Sequence, residues 1–414
     1  MRRGLAPFLA LFALISLAAP TGAVGQSSAD KALARTLTKS MGGAGPSSGA
    51  YVLDATDRTT LFKWKPDTPR VLASNTKLFT TAAALDQLRP DATLQTVVVG
   101  AGEQLADGTW SGDLYLRGGG DPTFGSAAFA RRSYGEGAAA EDLASQIDAA
   151  GITRVTGRVY GDESRFDSLR GGPDSGWGTS IWVGPLSALS FNRGLASESG
   201  SSFQTSPPAF AATRLDALLE ARHISVRGKP AAGVAPSGVR ALAAVDSPSV
   251  AELVRLTLKS SDNFFAEMLL KRVGGTPGTT RSGASAASSH ALSLGARVRM
   301  ADGSGLSRGN AASPRSVGRL LDALIPRPEF AAFERALPIA GKDGTLHDRM
   351  NGAPARGRCR AKTGTLIGVS ALSGYCRTLG GDTLVFSFLM NGVNVNGARR
   401  LQDRMTQAIA GYRG

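Results

Sequence analysis

The sequence predicts a mixed α/β (α+β) fold in which helices flank an antiparallel sheet and a β-rich insert interrupts the chain. Two strands and a helix precede residue 90, helices and then three strands fill residues 246–414, and short strands separated by Gly and Asp turns fill residues 91–245. The most economical arrangement puts the first and last strands in one sheet. We therefore expect residues 26–90 plus 246–414 to form one domain, and residues 91–245 to form an insert of two small nested domains.

Residues 1–25 have the three successive regions that are typical of a secretory signal peptide. A basic start, "MRR", precedes the uncharged apolar run "GLAPFLALFALISLAAP", and small residues suited to cleavage follow in "TGAVGQ". The alternative is a membrane anchor, but the run is short for a bilayer and ends at Pro20, Thr21 and Gly22. We expect cleavage near Gly25 and an exported protein, either periplasmic or extracytoplasmic and associated with the cell wall.

The composition is that of a folded chain with an excess of positive charge. Hydrophobic residues make up 42% of the 414 residues, and the formal net charge is +14 at pH 7. This charge fits either a well-solvated surface or attraction to an anionic polymer such as a cell wall. No dense Lys/Arg run occurs, and aromatic residues do not alternate with basic ones, so we expect no nucleic-acid partner.

The folded part is predicted to begin with a helix, a strand pair and a second helix. A helical piece is expected near residues 29–40, and "GAYVLDAT" and "TLFKW" have the composition of two strands around the turn "TDRT". The segment "NTKLFTTAAALDQL" then predicts a helix, which "RPD" ends.

The insert is predicted to combine short strands with two helices. The strands are expected in "LQTVVVG", "GDLYLRG" and "VTGRVYGDE", and the helices in "AAAEDLASQIDAAG" and "RLDALLEARHI". The stretch "GGPDSGWGTSIWVGPLSALSFNRG" has little periodicity and many turn residues. We therefore assign it to a loop-rich part of the second unit.

Helical periodicity returns in "SPSVAELVRLTLKSSDNFFAEMLLKRV" and in three later segments. Three strands follow, in "RCRAKTGTLIG", "VSALSGYCRTL" and "TLVFSFLMNGV", and "ARRLQDRMTQAIAGY" is the last helix. If the first two strands form a hairpin, Cys359 and Cys376 lie almost opposite each other. That position permits either a disulfide or two free thiols packed on neighbouring strands.

The helix start "VLASNTKLFTTAAAL" places Ser74 and Lys77 three residues apart, on one face of a helix. A serine hydroxyl becomes a strong nucleophile only when a base takes its proton, and lysine can be that base only in its neutral form. Free N–H groups at the helix start could also stabilise an oxyanion. The alternative is an N-cap serine followed by a surface lysine, because S-x-x-K alone is a weak signal.

Two further polar groups lie far along the chain. In "KSSDNFFAEML", Ser261, Asp262 and Asn263 precede an apolar helix, where they could either cap the helix or relay a proton and bind an amide. In "AKTGTL", Lys362 and Thr363 lie in a predicted strand, where they could either face solvent or hold a substrate carboxylate. Lys362 is also a candidate for the cation that keeps the first lysine neutral.

Together, S-x-x-K, S-D-N and K-T-G form the motif set of β-lactamases and penicillin-binding proteins. The chain resembles the class C low-molecular-mass penicillin-binding proteins, the D-alanyl-D-alanine carboxypeptidase/endopeptidase family. The long gap between Ser74 and Ser261 and the phrases "LYLRGGGDPTF", "GDESRFD", "DGSGLSRGN" and "LPIAGKDGTLHDRM" also carry this resemblance, which extends from about Ala50 to the end. It implies a serine β-lactamase/penicillin-binding-protein transpeptidase-like domain with extra domains in the gap.

The resemblance implies a serine-type D-Ala-D-Ala carboxypeptidase, with endopeptidase activity as a further option. Ser74 is the implied nucleophile and Lys77 its base, while Ser261 relays a proton to the leaving D-alanine. The backbone N–H groups of Ser74 and Thr365 are implied to form the oxyanion hole. Peptidoglycan stem peptides are the implied substrates and β-lactam antibiotics the implied covalent inhibitors, and no metal or organic cofactor is implied.

The implied substrate-binding residues come from all parts of the chain. Asn263 binds the peptide, Lys362 and Thr363 hold its terminal carboxylate, and Gly364 lets the substrate backbone approach closely. Asp121, in "GGGDPT", is implied to meet the free amine of the stem peptide's diamino acid. The alternative for Asp121 is an ordinary turn aspartate.

Other functions stay open at this point. A β-lactamase or an esterase on the same scaffold would carry the same three motifs, although the long insert favours a peptidase. A non-catalytic wall-binding protein would fit the positive charge, but the intact motifs argue against it. In "DGSGLSRGN", Asp302, Ser304 and Arg308 could shape the edge of the active site. We favour the alternative, a turn that positions the helix starting near Ser313, and leave these residues out of the catalytic set.

Overall fold

The computed structural model of the protein describes Met1 and residues 27–414. The expected signal peptide, residues 1–25, lies almost wholly outside the described residues. Among the described residues, no helix combines the length and the apolar character that crossing a bilayer requires.

The strands, in chain order, are β1 (Ser48–Asp54), β2 (Thr60–Trp64), β3 (Arg70–Val71), β4 (Gln95–Gln104), β5 (Thr109–Arg117), β6 (Arg154–Val155), β7 (Val159–Asp162), β8 (Ser225–Val226), β9 (Ala231–Ala232), β10 (Arg240–Asp246), β11 (Val298–Arg299), β12 (Ala311–Ala312), β13 (Cys359–Leu366), β14 (Val369–Arg377) and β15 (Thr383–Asn391). The α-helices are α1 (Ser28–Gly42), α2 (Thr76–Leu88), α3 (Ala127–Tyr134), α4 (Ala140–Ala149), α5 (Pro207–Glu220), α6 (Val250–Lys259), α7 (Asn263–Val273), α8 (Thr280–Ser293), α9 (Pro314–Leu324), α10 (Phe330–Ala336) and α11 (Val395–Ala410).

The first and last strands of the chain form one five-stranded antiparallel sheet, in the order β13-β14-β15-β1-β2. Ala50 and Val52 face a core shared with α1 and α11, whereas Tyr51 and Leu53 face a core shared with α9 and other helices. Because both faces are covered, every residue of β1 is buried. The predicted fold class, an antiparallel sheet flanked by helices, is confirmed.

The residues between these two groups of strands build a second, seven-stranded sheet from β4 to β10. It is mixed, because β5 pairs with β4 in antiparallel and with β6 and β7 in parallel orientation. Its core contains the fully buried Trp110 and side chains of α4 and α5. The predicted domain boundaries, including two nested units within residues 91–245, stay a prediction.

The loop-rich stretch of the insert differs from its predicted place in the second unit. Val183 and Leu186 pack into the core around the helices that carry the S-x-x-K and S-D-N motifs, whereas Leu189 and Phe191 pack into the core of the second sheet. The contacts of this stretch with both cores could not be predicted, because its apolar residues follow neither the helix nor the strand period. The stretch joins the two sheets.

The second hairpin of the five-stranded sheet brings the cysteines together. β13 and β14 pair with Cys359 directly opposite Cys376, as predicted, and the turn contains Ile367 and Gly368. The two sulfurs form a disulfide. Of the two alternatives open from the sequence, the structure therefore has the covalent bond.

Candidate active site

The three motifs meet in one cavity of about 760 Å³. Ser74, Ser261, Asn263, Thr363 and Thr365 all line it. They come from the chain before α2, the junction of α6 and α7, and strand β13. Motifs that are almost 300 residues apart at their extremes are thus neighbours in space.

The Ser74 side chain lies one helical turn from a lysine that is wholly buried. Lys77 Nζ donates hydrogen bonds to Ser74 Oγ at 3.1 Å, to Asn263 Oδ1 at 2.7 Å and to the Ser304 carbonyl at 2.6 Å. Burial lowers the pKa of Lys77 to about 8. The lysine can therefore exchange its proton near neutral pH, which a base for Ser74 requires.

The capping alternative for this serine is wrong. Ser74 lies in a short 3₁₀ turn, Ala73–Asn75, and the N-cap of α2 is Asn75, which makes no side-chain cap hydrogen bond. Ala73 has a positive φ of 47°, a strained value for alanine. Gly305 packs so closely here that a Cβ atom would lie 1.9 Å from the Ala73 carbonyl oxygen. The positive φ of Ala73 is therefore imposed by packing against neighbouring chain and not by the conformational preference of alanine.

The S-D-N residues divide the two predicted roles among themselves. Asp262 caps α7 by accepting the Phe265 N–H at 3.0 Å. Ser261, at φ 62°, and Asn263 instead face the cavity. Asn263 Nδ2 also donates to the Trp182 carbonyl at 3.1 Å, which ties the irregular stretch of the insert to the site.

Strand β13 contributes a second buried lysine. Lys362 Nζ donates to Ser261 Oγ and to the Thr363 carbonyl, both at 2.8 Å, so the alternative of an exposed strand is wrong. Burial, followed by the charge of Lys77, lowers the pKa of Lys362 well below its usual value. The hypothesis that Lys362 keeps Lys77 neutral stays a prediction. Burial is the largest cause of the lowered pKa at Lys77, and the repulsion between the two lysines, which is mutual, disfavours the state in which both are protonated.

The remaining K-T-G residues have defined neighbours. Thr363 Oγ1 donates to Thr345 Oγ1 at 2.8 Å, and Thr365 Oγ1 accepts from the guanidinium of Arg399 at 3.1 Å. A Cβ atom on Gly364 would lie 2.8 Å from the carbonyl oxygen that precedes Ala73. Glycine is therefore needed here for the approach of β13 to the chain that carries the serine, a different reason from the predicted approach of a substrate.

Asp121 does not line the cavity. Its side chain is 1% exposed, and its Oδ1 atom accepts from the Thr123 N–H and from the Thr123 hydroxyl, both at 2.7 Å. Burial raises the pKa of Asp121 to about 7. These contacts are those of a turn aspartate. The predicted contact with a substrate amine stays a prediction, and it would require this carboxyl group to be uncovered.

The predicted set of site residues did not include three residues of the site. Ser304 belongs to the phrase "DGSGLSRGN", for which a turn was favoured over a role at the active-site edge, and its carbonyl oxygen contacts Lys77. Glu267 lies four residues after Asn263, a spacing that shares a helix face and could have identified it. Arg399 lies on the distant helix α11, and no motif marks it. Within residues 27–414, no group of three or more His, Cys, Asp or Glu side chains could hold a metal ion.

Comparisons with known proteins agree with this arrangement. A profile of the D-Ala-D-Ala carboxypeptidase 3 (S13) family matches residues 29–202 and 196–412. The chain is 29% identical over 459 residues to a D-alanyl-D-alanine carboxypeptidase of an Actinomadura species, with 89% of this chain and 82% of that protein covered. It is 32% identical over 368 residues to carboxypeptidase DacB of Mycolicibacterium smegmatis, with 84% and 76% covered.

Solved structures show the same fold. Penicillin binding protein 4 (dacB) from Haemophilus influenzae superposes with a TM-score of 0.77 at 20% identity, covering 91% of this chain and 99% of that one. A predatory peptidoglycan endopeptidase from Bdellovibrio bacteriovorus superposes with a TM-score of 0.52 at 19% identity, covering 83% and 85%. At these identities the likeness concerns the fold.

Proposed function

The chain belongs to the D-Ala-D-Ala carboxypeptidase 3 (S13) family, and from this premise we propose that it is a serine-type D-Ala-D-Ala carboxypeptidase acting on peptidoglycan stem peptides. One observation carries the proposal: a fully buried lysine donates to a serine hydroxyl at 3.1 Å inside a cavity that all three motifs line. Nucleophile and base are thus within hydrogen-bond reach, as acyl transfer requires.

In the first half-reaction, Ser74 Oγ attacks the carbonyl carbon of the penultimate D-alanine. The proton of the hydroxyl passes to neutral Lys77 Nζ, and the negative charge moves to the carbonyl oxygen. The predicted oxyanion hole uses the backbone N–H groups of Ser74 and Thr365. The C–N bond then breaks, and an ester on Ser74 remains.

The leaving amine of the terminal D-alanine needs a proton. Ser261 Oγ accepts a hydrogen bond from Lys362, so its own O–H is free to donate elsewhere. This geometry supports the relay role of Ser261, which gives its proton to the amine nitrogen and regains the proton that Lys77 took from Ser74, so that both groups return to their starting states. A water molecule then hydrolyses the ester, its hydroxyl joining the acyl carbon while its remaining proton returns to Ser74 Oγ.

The terminal carboxylate of the substrate is held at the other side of the cavity. We assign this role to Lys362 and Thr363, with Gly364 beside them and with Asn263 on the peptide. Arg399 lines the same cavity and is a further cation for an anionic substrate. A carboxylate next to Lys362 favours the protonated lysine, so substrate binding itself supplies the positive charge that the clamp needs.

The test of this function is mass spectrometry of products from a defined pentapeptide. Wild-type protein is expected to release one D-alanine, and Ser74→Ala is expected to release none. A cross-linked dimer in parallel reactions measures endopeptidase activity. Labelled penicillin is expected to form a stable adduct on Ser74. The proposal would be wrong if correctly folded wild-type protein neither reacted with penicillin nor released D-alanine.

The alternative enzymes on this scaffold differ in the fate of the acyl-enzyme. A β-lactamase would turn over penicillin rapidly, whereas a carboxypeptidase is expected to keep the penicilloyl adduct for minutes or longer. An esterase would hydrolyse simple esters and leave the pentapeptide intact. A non-catalytic wall-binding protein would form no adduct with penicillin.

We also propose that the protein works outside the cytoplasm. The signal-like pattern of residues 1–25 and the disulfide between Cys359 and Cys376 support this location, because disulfides persist in oxidising compartments. The net charge of +14 supports peripheral association with an anionic wall. Cell fractionation and N-terminal sequencing of the mature protein test the location; an intact N-terminus in the cytoplasm would contradict it.

A further inference from the structure

Glu267 is a buried carboxylate that the proposed reaction does not use. It lies on α7 one turn after Asn263, and 1% of it is exposed. Its two oxygens accept from the Gly303 N–H, each at 3.1 Å, and one of them accepts from the Ser304 N–H at 2.8 Å. A buried carboxylate is costly unless backbone donors or a cation stabilise it.

The loop that Glu267 holds also contacts the catalytic helix. The Ser304 carbonyl accepts from Lys77 Nζ at 2.6 Å, and the Gly303 carbonyl accepts from the Thr80 hydroxyl at 2.8 Å. The peptide groups of Gly303 and Ser304 therefore lie between α7 and α2, with their N–H groups directed to one helix and their carbonyls to the other. The orientation of the Ser304 carbonyl, which accepts the hydrogen bond from Lys77, therefore depends on the contacts of Gly303 and Ser304 with both helices.

A second carboxylate fixes the next part of the same loop. Asp302 accepts from the Gly305 N–H at 2.8 Å and from the Ser307 N–H at 2.6 Å. Burial, followed by the charge of Asp302, raises the pKa of Glu267 to about 7, and burial raises the pKa of Asp302. No arginine or lysine lies within ion-pair distance of either carboxylate among the described residues.

Four titratable groups face Lys77. Glu267 and Asp302 hold the loop, Asp262 lies at the start of α7, and Lys362, whose lowered pKa favours the neutral amine, lies on β13. The charge of Asp262 is largely balanced by its bidentate pair with Arg193. Glu267 and Asp302 are therefore the uncompensated negative charges on this side of the lysine.

We propose that Glu267 is a positioning residue for Lys77: its carboxylate fixes the Gly303–Ser304 peptide groups as a hydrogen-bond acceptor for the lysine, and its charge, with that of Asp302, raises the pH at which the lysine becomes a base. The inference rests on the proposed function in one respect, the role of Lys77 as the base. The contact itself, from α7 through the loop to α2, exists whatever the reaction.

The test compares Glu267→Gln with wild type in the second-order rate of acylation by a fluorescent penicillin, measured from pH 5.5 to 9.5. Loss of the carboxylate should lower the maximal rate roughly 10- to 100-fold, because the acceptor for the base is displaced. Loss of its negative charge should also move the acid limb to lower pH by at least about half a unit. An acid limb and a maximal rate equal to those of wild type would overturn the proposal.

Three variants separate positioning from general loss of structure. Glu267→Asp keeps the charge and should keep the acid limb near its wild-type position. Thr80→Val loosens the same loop without changing charge, so it should lower the rate and leave the limb unmoved. Asp162→Asn is the matched control: Asp162 is a buried carboxylate of the second sheet that accepts two backbone N–H groups, and its loss should leave the limb unmoved.

A readout without turnover distinguishes failure of this inference from failure of the proposed function. The titration of Lys77 can be followed by NMR of the protein labelled at the lysine Cε atoms, with Lys77→Arg identifying the signal. The midpoint should be lower in Glu267→Gln than in wild type, even if the protein acylates no substrate at all. An unchanged midpoint in a folded variant would overturn the proposal by itself.

Discussion

The site contains two serine–lysine pairs, and they differ in the charges behind each lysine. Both lysines are wholly buried and both donate to a serine hydroxyl, at 3.1 Å in the Ser74 pair and 2.8 Å in the Ser261 pair. Carboxylates face Lys77 and raise its pKa against the effect of burial, so that the pKa stays at about 8. At Lys362, burial and the charge of Lys77 act in the same direction, and no acid opposes them.

This difference shows how one cavity can contain two lysines with different tasks. Burial alone would drive both toward the neutral form. The negative charges near Lys77, mainly those of Asp302 and Glu267, partly offset the effect of burial on its pKa. Lys77 can therefore take a proton from a serine and release it again near neutral pH. Lys362 lacks that support and gains its charge only when a carboxylate arrives. The comparison predicts different responses to mutation, from the largest to the smallest.

The largest effect is expected from Lys77→Ala. Because it removes the base, the rate of acylation by penicillin and by pentapeptide should fall about 10³- to 10⁴-fold, for substrates with or without a terminal carboxylate. Stopped-flow acylation and product mass spectrometry measure this loss. A fall in the acylation rate of less than tenfold would show that Lys77 is not the base for Ser74.

Lys362→Ala should discriminate between substrates. The kcat/KM for the pentapeptide should fall about 100-fold, since a desolvated contact to the carboxylate is lost. The same peptide with an amidated C-terminus is expected to be a poor substrate of the wild type, and its kcat/KM should fall less than about threefold in the variant, because it offers no carboxylate for Lys362 to bind. Equal losses for the two peptides would show that Lys362 does not act through the carboxylate.

The acid limb of acylation should lie near pH 8 in wild type, since only neutral Lys77 is a base and the proton is bound below its pKa of about 8. In Lys362→Ala this limb should stay close to its wild-type position, because burial is the main cause of the lowered pKa at Lys77. The pH–rate profile of the variant is the measurement. A large shift of the acid limb to higher pH in this variant would instead support the hypothesis that Lys362 keeps Lys77 neutral.

Binding of a carboxylate should be accompanied by proton uptake at Lys362. In the Ser74→Ala protein, where no chemistry follows, isothermal titration calorimetry in two buffers of different ionisation enthalpy should show up to about one proton taken up per pentapeptide. Uptake should disappear with the amidated peptide. Uptake that persists in Ser74→Ala/Lys362→Ala would assign the proton to another group.

The smallest effect on catalysis is expected from removal of the disulfide. Replacing both Cys359 and Cys376 by serine should lower the free energy of unfolding by about 3 kcal/mol, because the unfolded chain gains conformational entropy. Acylation should change less than threefold, since backbone pairing still aligns β13 with β14. Thermal unfolding and acylation of the same sample test both parts.

The sequence could predict the sheet, the disulfide position and all three motifs, because each depends on local pattern. Strand periodicity identified β1, β2 and β13 to β15, and the predicted hairpin of β13 and β14 placed Cys359 opposite Cys376. The S-x-x-K pair needs only a helix start to bring serine and lysine together. Such features follow from residues a few positions apart or from a hairpin with a short turn.

Other features depend on contacts that no local pattern encodes. A helix start after Asp262 was predicted and its cap is present, but the positive φ of Ser261 had no local signal in the sequence. The buried path from Glu267 through Ser304 to Lys77 joins three distant segments through backbone atoms, which are the same in every sequence. Asp121 was assigned to the cavity by resemblance, whereas in the structure it is buried and accepts hydrogen bonds from Thr123 in its own turn.

Arg193, a residue of the predicted insert, has a consequence for how far this enzyme could be shortened. Its guanidinium makes a bidentate pair with Asp262 at 2.7 and 3.1 Å and lies over the ring of Phe264, although Asn192, Arg193 and Gly194 must all adopt positive φ to present it. Deleting residues 91–245 would leave Asp262, the N-cap of α7 next to Ser261, without its cation. The insert is therefore a structural member of the catalytic centre, and a truncated version cut back to the first sheet and its helices would have lost part of its active site.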